Sequence, residues 1–112
     1  MNGKKNNDIV RGGRGQDTLR GGAGADILRG GPQSDKLIGG PGADRYYLSP
    51  GRDQIKDFSN KEGDLMINQR NFEITIQQVG PHLLILDRNR GLNTKMINTA
   101  AEDLLEIYPE WG

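Results

Sequence analysis

Gly12–Tyr47 reads GGRGQDTLR GGAGADILR GGPQSDKLI GGPGADRYY, four consecutive nine-residue units. Position six of every unit is Asp (Asp17, Asp26, Asp35, Asp44), and position eight is a large apolar or aromatic residue (Leu19, Leu28, Leu37, Tyr46). The phase extends in both directions. Upstream, GKKNNDIVR from Gly3 to Arg11 puts Asp8 and Val10 at positions six and eight; downstream, LSPGRDQIK from Leu48 to Lys56 does the same with Asp53 and Ile55. Six units in one register mark a repeat architecture.

Glycines at positions one, two and four permit the positive φ angles of a tight turn, so the first six residues of a unit turn and the last three form a short strand. Strand alternation sends position eight to one face and positions seven and nine to the other. With one inward apolar residue per unit, two units must make one coil of eighteen residues, closed by two short facing strands. Val10, Leu28 and Tyr46 then line one sheet, and Leu19, Leu37 and Ile55 the other. Departures from the pattern are few. Met1–Lys5 reads as a frayed lead-in, and Lys4 and Asn6 stand where the first unit wants glycines, although Asn6 can still adopt the left-handed conformation. Gln33 replaces the fourth-position glycine of its unit, and Pro32, Pro41 and Pro50 hold position three, outside the ladder.

Coils stacked about 4.8 Å apart place Asp8, Asp26 and Asp44 above one another on one edge, and Asp17, Asp35 and Asp53 on the other. Stacked carboxylates repel, and a hard divalent cation resolves the conflict. Calcium takes six to eight oxygens in flexible geometry, whereas magnesium demands an octahedron. Glycine turns supply unobstructed carbonyls. The expected sites are Asp8/Asp26, Asp26/Asp44, Asp17/Asp35 and Asp35/Asp53, about four ions in all. Six inward side chains cannot offset the ordering of more than fifty residues, so the array is expected to fold only with metal.

Composition narrows the class further. A chain of 112 residues is one domain or a module of something longer, and 17 glycines with 33% hydrophobic residues leave too little for an ordinary layered core. Net charge is zero and the cations are dispersed, which argues against nucleic acid. The longest apolar run, Leu83–Leu86, is too short to span a membrane, and no N-terminal apolar signal segment is visible. Cysteine is absent, leaving metal as the available staple. A monomer, or a module within a larger chain, is expected.

On the outer faces Arg11 and Arg29 stack with Tyr47, and Arg20 and Ile38 with Lys56; Arg29 over Tyr47 suits a cation–π contact. This surface reads either as a solvated charged face or as a binding surface for an anionic polysaccharide. Past residue 56 the period is lost. Asp57 and Asp64 are either turn formers or contributors to one last calcium site. FEITIQQV alternates as a half-buried strand, LLILD from Leu83 is a second, and Lys95 to Asn98 a weaker third. Thr99 and Glu102 have capping-box spacing before a short helix stopped by Pro109. Residues 1–56 are therefore expected to form the roll and residues 57–112 a cap packed over its open end. Trp111 is expected in cap packing, and His82 has no ligating or catalytic partner in the sequence.

The GGxGxDxUx array resembles the RTX calcium-binding repeat proteins. DQIKDFSNKEGD is similar to the I-x-D-F segment that closes such arrays, and ITIQQVGPHLLILD with AEDLLEI to the strand-and-helix cap that follows. The resemblance implies an all-β fold: a right-handed parallel β-roll with a C-terminal strand cap and one short helix. It further implies calcium in the turns, type I secretion with an uncleaved C-terminal signal, and folding outside the cell. It extends the ligand set to turn carbonyls, which carries over to Gly13, Gly15, Gly22, Gly24, Gly31, Gly40 and Gly42. EIYPEWG at the end is not an evident secretion signal. No HExxH is present, and nothing pairs a nucleophile with a base, so no enzyme is expected. Two functions follow: a secreted, non-catalytic calcium-binding module, or an extracellular carbohydrate-binding or adhesive module, akin to the accessory repeats of alginate epimerases, that uses its Arg and Lys ladders.

Overall fold

The computed structural model describes residues 7–59 and 62–111. The readings of Met1–Lys5 and of Asn6 lie outside the described residues. Each repeat unit ends in a strand because only its last three positions are free of the turn: β1 (Ile9–Arg11), β2 (Thr18–Arg20), β3 (Ile27–Arg29), β4 (Lys36–Ile38) and β5 (Arg45–Tyr47). The sixth strand, β6, is longer (Gly51–Ile55). Alternate strands pair in parallel with a shift of one coil, Val10 beside Leu28, Leu28 beside Tyr46, Leu19 beside Leu37 and Leu37 beside Ile55. All six of these side chains are buried while their strand neighbours point outward. The parallel β-roll expected from the period is the fold observed.

The stacking continues past residue 56, where the repeat period is lost. Strand β7 (Leu65–Ile67) pairs in parallel with β5, and Met66 takes the inward place above Tyr46. Three antiparallel elements follow, β8 (Thr75–Val79), β9 (His82–Asp87) and β10 (Leu92–Met96). β10 also lies parallel to β6, so repeat strands and cap strands share one six-stranded sheet in the order β2-β4-β6-β10-β9-β8. The other sheet has the order β1-β3-β5-β7. One continuous core runs from Val10 through the coils to Leu83, Ile85, Met96 and Leu104.

Local details of the cap differ from the sequence reading. The first cap strand begins only at Thr75; Phe72 is buried in the loop before it, where the Asn68 side chain bonds both its N–H (2.8 Å) and its carbonyl (3.0 Å). The third strand ends at Met96 rather than running to Asn98. Helix α1 (Ala101–Leu105) forms, but without the capping box. The Thr99 hydroxyl turns back to donate to the Ile97 carbonyl, and the Gln78 amide oxygen accepts the Ala101 N–H instead. The Tyr108 hydroxyl donates to the Met66 carbonyl at 2.7 Å and accepts its N–H at 3.1 Å, tying the helix end to β7. Trp111, in the 3-10 turn Pro109–Trp111, stacks on Tyr108 with ring centroids 4.2 Å apart.

Candidate metal centre

Two physical demands make the turns glycine-rich. At positions two and four the backbone enters the left-handed region, with φ of 83° at Gly22 and 104° at Gly24. Gln33 meets the same demand at φ 80° despite its side chain. At position one the demand is space. A Cβ on Gly12 would stand 2.8 Å from Asp17 Oδ2 and 2.8 Å from the Gly30 carbonyl; on Gly21 it would stand 2.6 Å from Asp26 Oδ2 and 2.7 Å from the Gly39 carbonyl. A carboxylate oxygen and the carbonyl of the next coil thus converge at each of these glycines. The other turn carbonyls also stack coil on coil: the Gly13, Gly22 and Gly24 carbonyls face Gly31, Gly40 and Gly42, and the Gln33 carbonyl faces Gly51.

The two oxygens of each Asp do different work. Oδ1 accepts the backbone N–H of the Asp one coil earlier: Asp26 from Asp8, Asp35 from Asp17, Asp44 from Asp26 and Asp53 from Asp35, each at 2.9 Å. Asp64 accepts from Asp44 at 2.8 Å in the same way, two residues later than the period requires. One ladder therefore runs Asp8, Asp26, Asp44, Asp64 and the other Asp17, Asp35, Asp53. The Oδ2 atoms of Asp17, Asp26, Asp35 and Asp44 are buried without a hydrogen-bond partner. These four are the aspartates of the four units that begin Gly-Gly.

A buried carboxylate oxygen without a partner is unfavourable. Burial accordingly pushes the Asp26 and Asp35 carboxyls above the usual range, helped by the charges of Asp8 and Asp17. Asp44 is pushed up to about 7 by burial first and then by Asp64, Asp26 and Asp57, and Asp53 to about 7, again chiefly by burial. Hydrogen bonds to the carboxylates oppose the rise without cancelling it. Unpaired carboxylate oxygens beside converging turn carbonyls are a donor set suited to a hard cation. Among the described residues no three His, Cys, Asp or Glu side chains gather, so any ion here depends on the backbone as well.

The last turns are closed by protein groups. In the sixth unit Leu48 and Ser49 replace the glycine pair, and the Ser49 hydroxyl donates to Asp53 Oδ2 at 3.0 Å. Asp64 Oδ2 accepts the Ser59 N–H at 2.8 Å. Asp57 accepts the N–H groups of Gly39 (2.9 Å) and Gly40 (2.7 Å) and the Tyr46 hydroxyl (2.9 Å), which itself accepts the Gly39 N–H. Beside Asp53 the next rung carries Thr94, whose buried hydroxyl has no partner. The sequence reading missed the Gly30 and Gly39 carbonyls and the place of Asp64 in the ladder. Asp64 and Met66 keep the spacing of positions six and eight, which is the signal that could have found them. His82 is structural here: its Nδ1 accepts the Asn98 N–H at 3.0 Å.

Three coils of facing parallel strands, with carboxylates and carbonyls converging at the turns, define a parallel β-roll. Residues 2–37 and 20–55 match the RTX calcium-binding nonapeptide repeat, in 4 copies. The repeat region, residues 2–55, is therefore made of RTX nonapeptide repeats, which bind calcium. No curated protein matches the chain.

Proposed function

We propose that the protein is a non-catalytic calcium-binding module that becomes ordered outside the cell, holding about four ions against its turns. The observation that carries this reading is the set of four unpaired, buried Oδ2 atoms on Asp17, Asp26, Asp35 and Asp44. Each has a neighbouring coil above it, which favours ions between Asp17 and Asp35, Asp26 and Asp44, Asp35 and Asp53, and Asp44 and Asp64. Asp8, at the start of its ladder, then contributes least. The Gly30 and Gly39 carbonyls join the position-two and position-four carbonyls, from Gly13, Gly15, Gly22, Gly24, Gly31, Gly40 and Gly42, as the backbone share of the ligand set. Bound calcium would supply the partner that these oxygens lack and cancel the repulsion along both ladders.

RTX repeats are typical of exported proteins, and no helix among the described residues is long and apolar enough to cross a membrane. Scarce calcium inside the cell would leave the chain extended for export, and abundant calcium outside would fold it. Far-ultraviolet circular dichroism during a calcium titration, paired with calorimetric stoichiometry, tests the reading. The expected result is β signal rising with calcium and about four ions bound. A roll that persists at neutral pH in excess chelator would sink it.

A further inference from the structure

Strands β1, β7, β2 and β8 stand at the ends of the two sheets. At β7 the Tyr108 hydroxyl occupies both the N–H and the carbonyl of Met66, the middle residue of the strand. β1 and β2 are three residues long, and each carries an exposed arginine, Arg11 or Arg20, a charge that discourages edge pairing. β8 has neither defence. Its five residues, TIQQV from Thr75 to Val79, hold no charge and no proline, and Val79 is 46% exposed. Among the described residues no hydrogen bond from outside the β8–β9 ladder reaches the β8 backbone. Helix α1 does not cover this edge: Gln78, which receives the Ala101 N–H, pairs with buried Leu83 and so stands on the core side of the sheet. Hairpin geometry decides which groups are free. Gly80 and Pro81 make a two-residue loop, so Val79 and His82 are the closing pair that exchanges ladder bonds. Alternation gives Gln77 and Thr75 the next bonds and turns the N–H and carbonyl of Ile76 and Gln78 away from β9.

We propose that β8 pairs with β8 of a second copy of the chain, antiparallel about a two-fold axis at Gln77. The strand is complementary to itself in that arrangement. Ile76 of one chain exchanges both backbone bonds with Gln78 of the other, and the same pair recurs across the axis. Thr75 lies opposite Val79, a β-branched pair, and Gln77 lies opposite Gln77, with no like charges to oppose the contact. The pairing joins the six-stranded sheets of the two chains into one. Two such short strands bury less than the about 1,000 Å² of a stable interface, so the dimer is weak and forms at high concentration. The monomer expected from the sequence is its dilute state. The inference needs the folded roll and not the metal, so it stands or falls apart from the calcium reading.

The test is sedimentation velocity of the whole chain in calcium, from about 10 µM to about 1 mM, with circular dichroism to verify the fold of each variant. The expected result is a monomer–dimer equilibrium. Gln77→Lys and Gln77→Glu each set like charges against one another across the axis and should weaken association about tenfold or more. Mixing the two variants should restore it, because a two-fold at this residue then sets Lys against Glu. The chain has no cysteine, so Gln77→Cys should give a disulfide-linked dimer under mild oxidation, whereas Lys36→Cys, in the middle of the same sheet, should not. A chain that stays monomeric over the whole range overturns the proposal. So does association untouched by Gln77→Lys, a mixture that associates no better than its components, or equal cross-linking of the two cysteine variants.

Discussion

A methyl group on Gly21 would have no room, because Asp26 Oδ2 and the Gly39 carbonyl already stand within 2.7 Å of where it would go. Gly21→Ala should therefore remove one ion from the calorimetric stoichiometry. Gly13 makes the contrast: its φ is 75° and nothing lies within 4 Å of an added Cβ, so Gly13→Ala should cost about 1–2 kcal/mol of backbone strain and leave the ion count unchanged. Asp44→Asn separates the two roles of a carboxylate. It removes a buried charge, so the metal-free fold should gain stability in chelator, while calcium stoichiometry falls by up to two, because Asp44 borders the sites toward both Asp26 and Asp64. An Asp8→Ala variant should change calcium binding less than either Asp26→Ala or Asp35→Ala. Positions of the aspartates were legible from spacing alone. The division between a bonded Oδ1 and an unpaired Oδ2 was not, because the bond partner lies in the next coil. Nor did the composition of the fourth unit announce that Gln33 would take a left-handed φ.

Strands β1 to β6 could be read from the sequence because each unit repeats the same local instruction, and the shift of one coil follows from having one inward residue per unit. Strand β7 was hidden by the two extra residues between Asp44 and Asp64, which break the period although Asp64, Leu65 and Met66 restore its ending. The pairing of β10 with β6 was not legible either. It joins segments some forty residues apart, and nothing local in Leu92–Met96 names its partner. At the helix start, spacing suggested Thr99 as the cap, yet the Ala101 N–H goes to Gln78, on a strand whose approach no local rule contains. Asp57 closes its edge without metal, so Asp57→Ala should destabilise the protein even in saturating calcium. The cost should be about 1–3 kcal/mol for each buried donor left unpaired, read by chemical denaturation. Tyr46→Phe removes one of the bonds to Asp57 and should cost about 1 kcal/mol, again without changing the number of ions.

Across the molecule, the buried carboxylates tie metal, proton and fold together. Burial raises the Asp44 and Asp53 carboxyls from 3.8 to about 7 in the metal-free fold. Between those values the folded chain holds more protons than the unfolded one, so stability falls as pH rises. In chelator, then, the roll should be most ordered near and below about pH 4, where both groups are protonated in either state, and should lose order as pH climbs through about 7. Calcium should reverse the trend, because protons compete with it for the same oxygens; circular dichroism against pH, with and without metal, shows both slopes. The placement of β10 sets a further condition on how this protein comes into being. Since the strand that covers β6 ends at Met96, a growing chain halted at the last nonapeptide unit has every repeat in hand and still presents an open sheet edge above Ile55. The roll is sealed only by residues made after it, so a truncated or stalled product offers calcium its turns while inviting other strands to its rim.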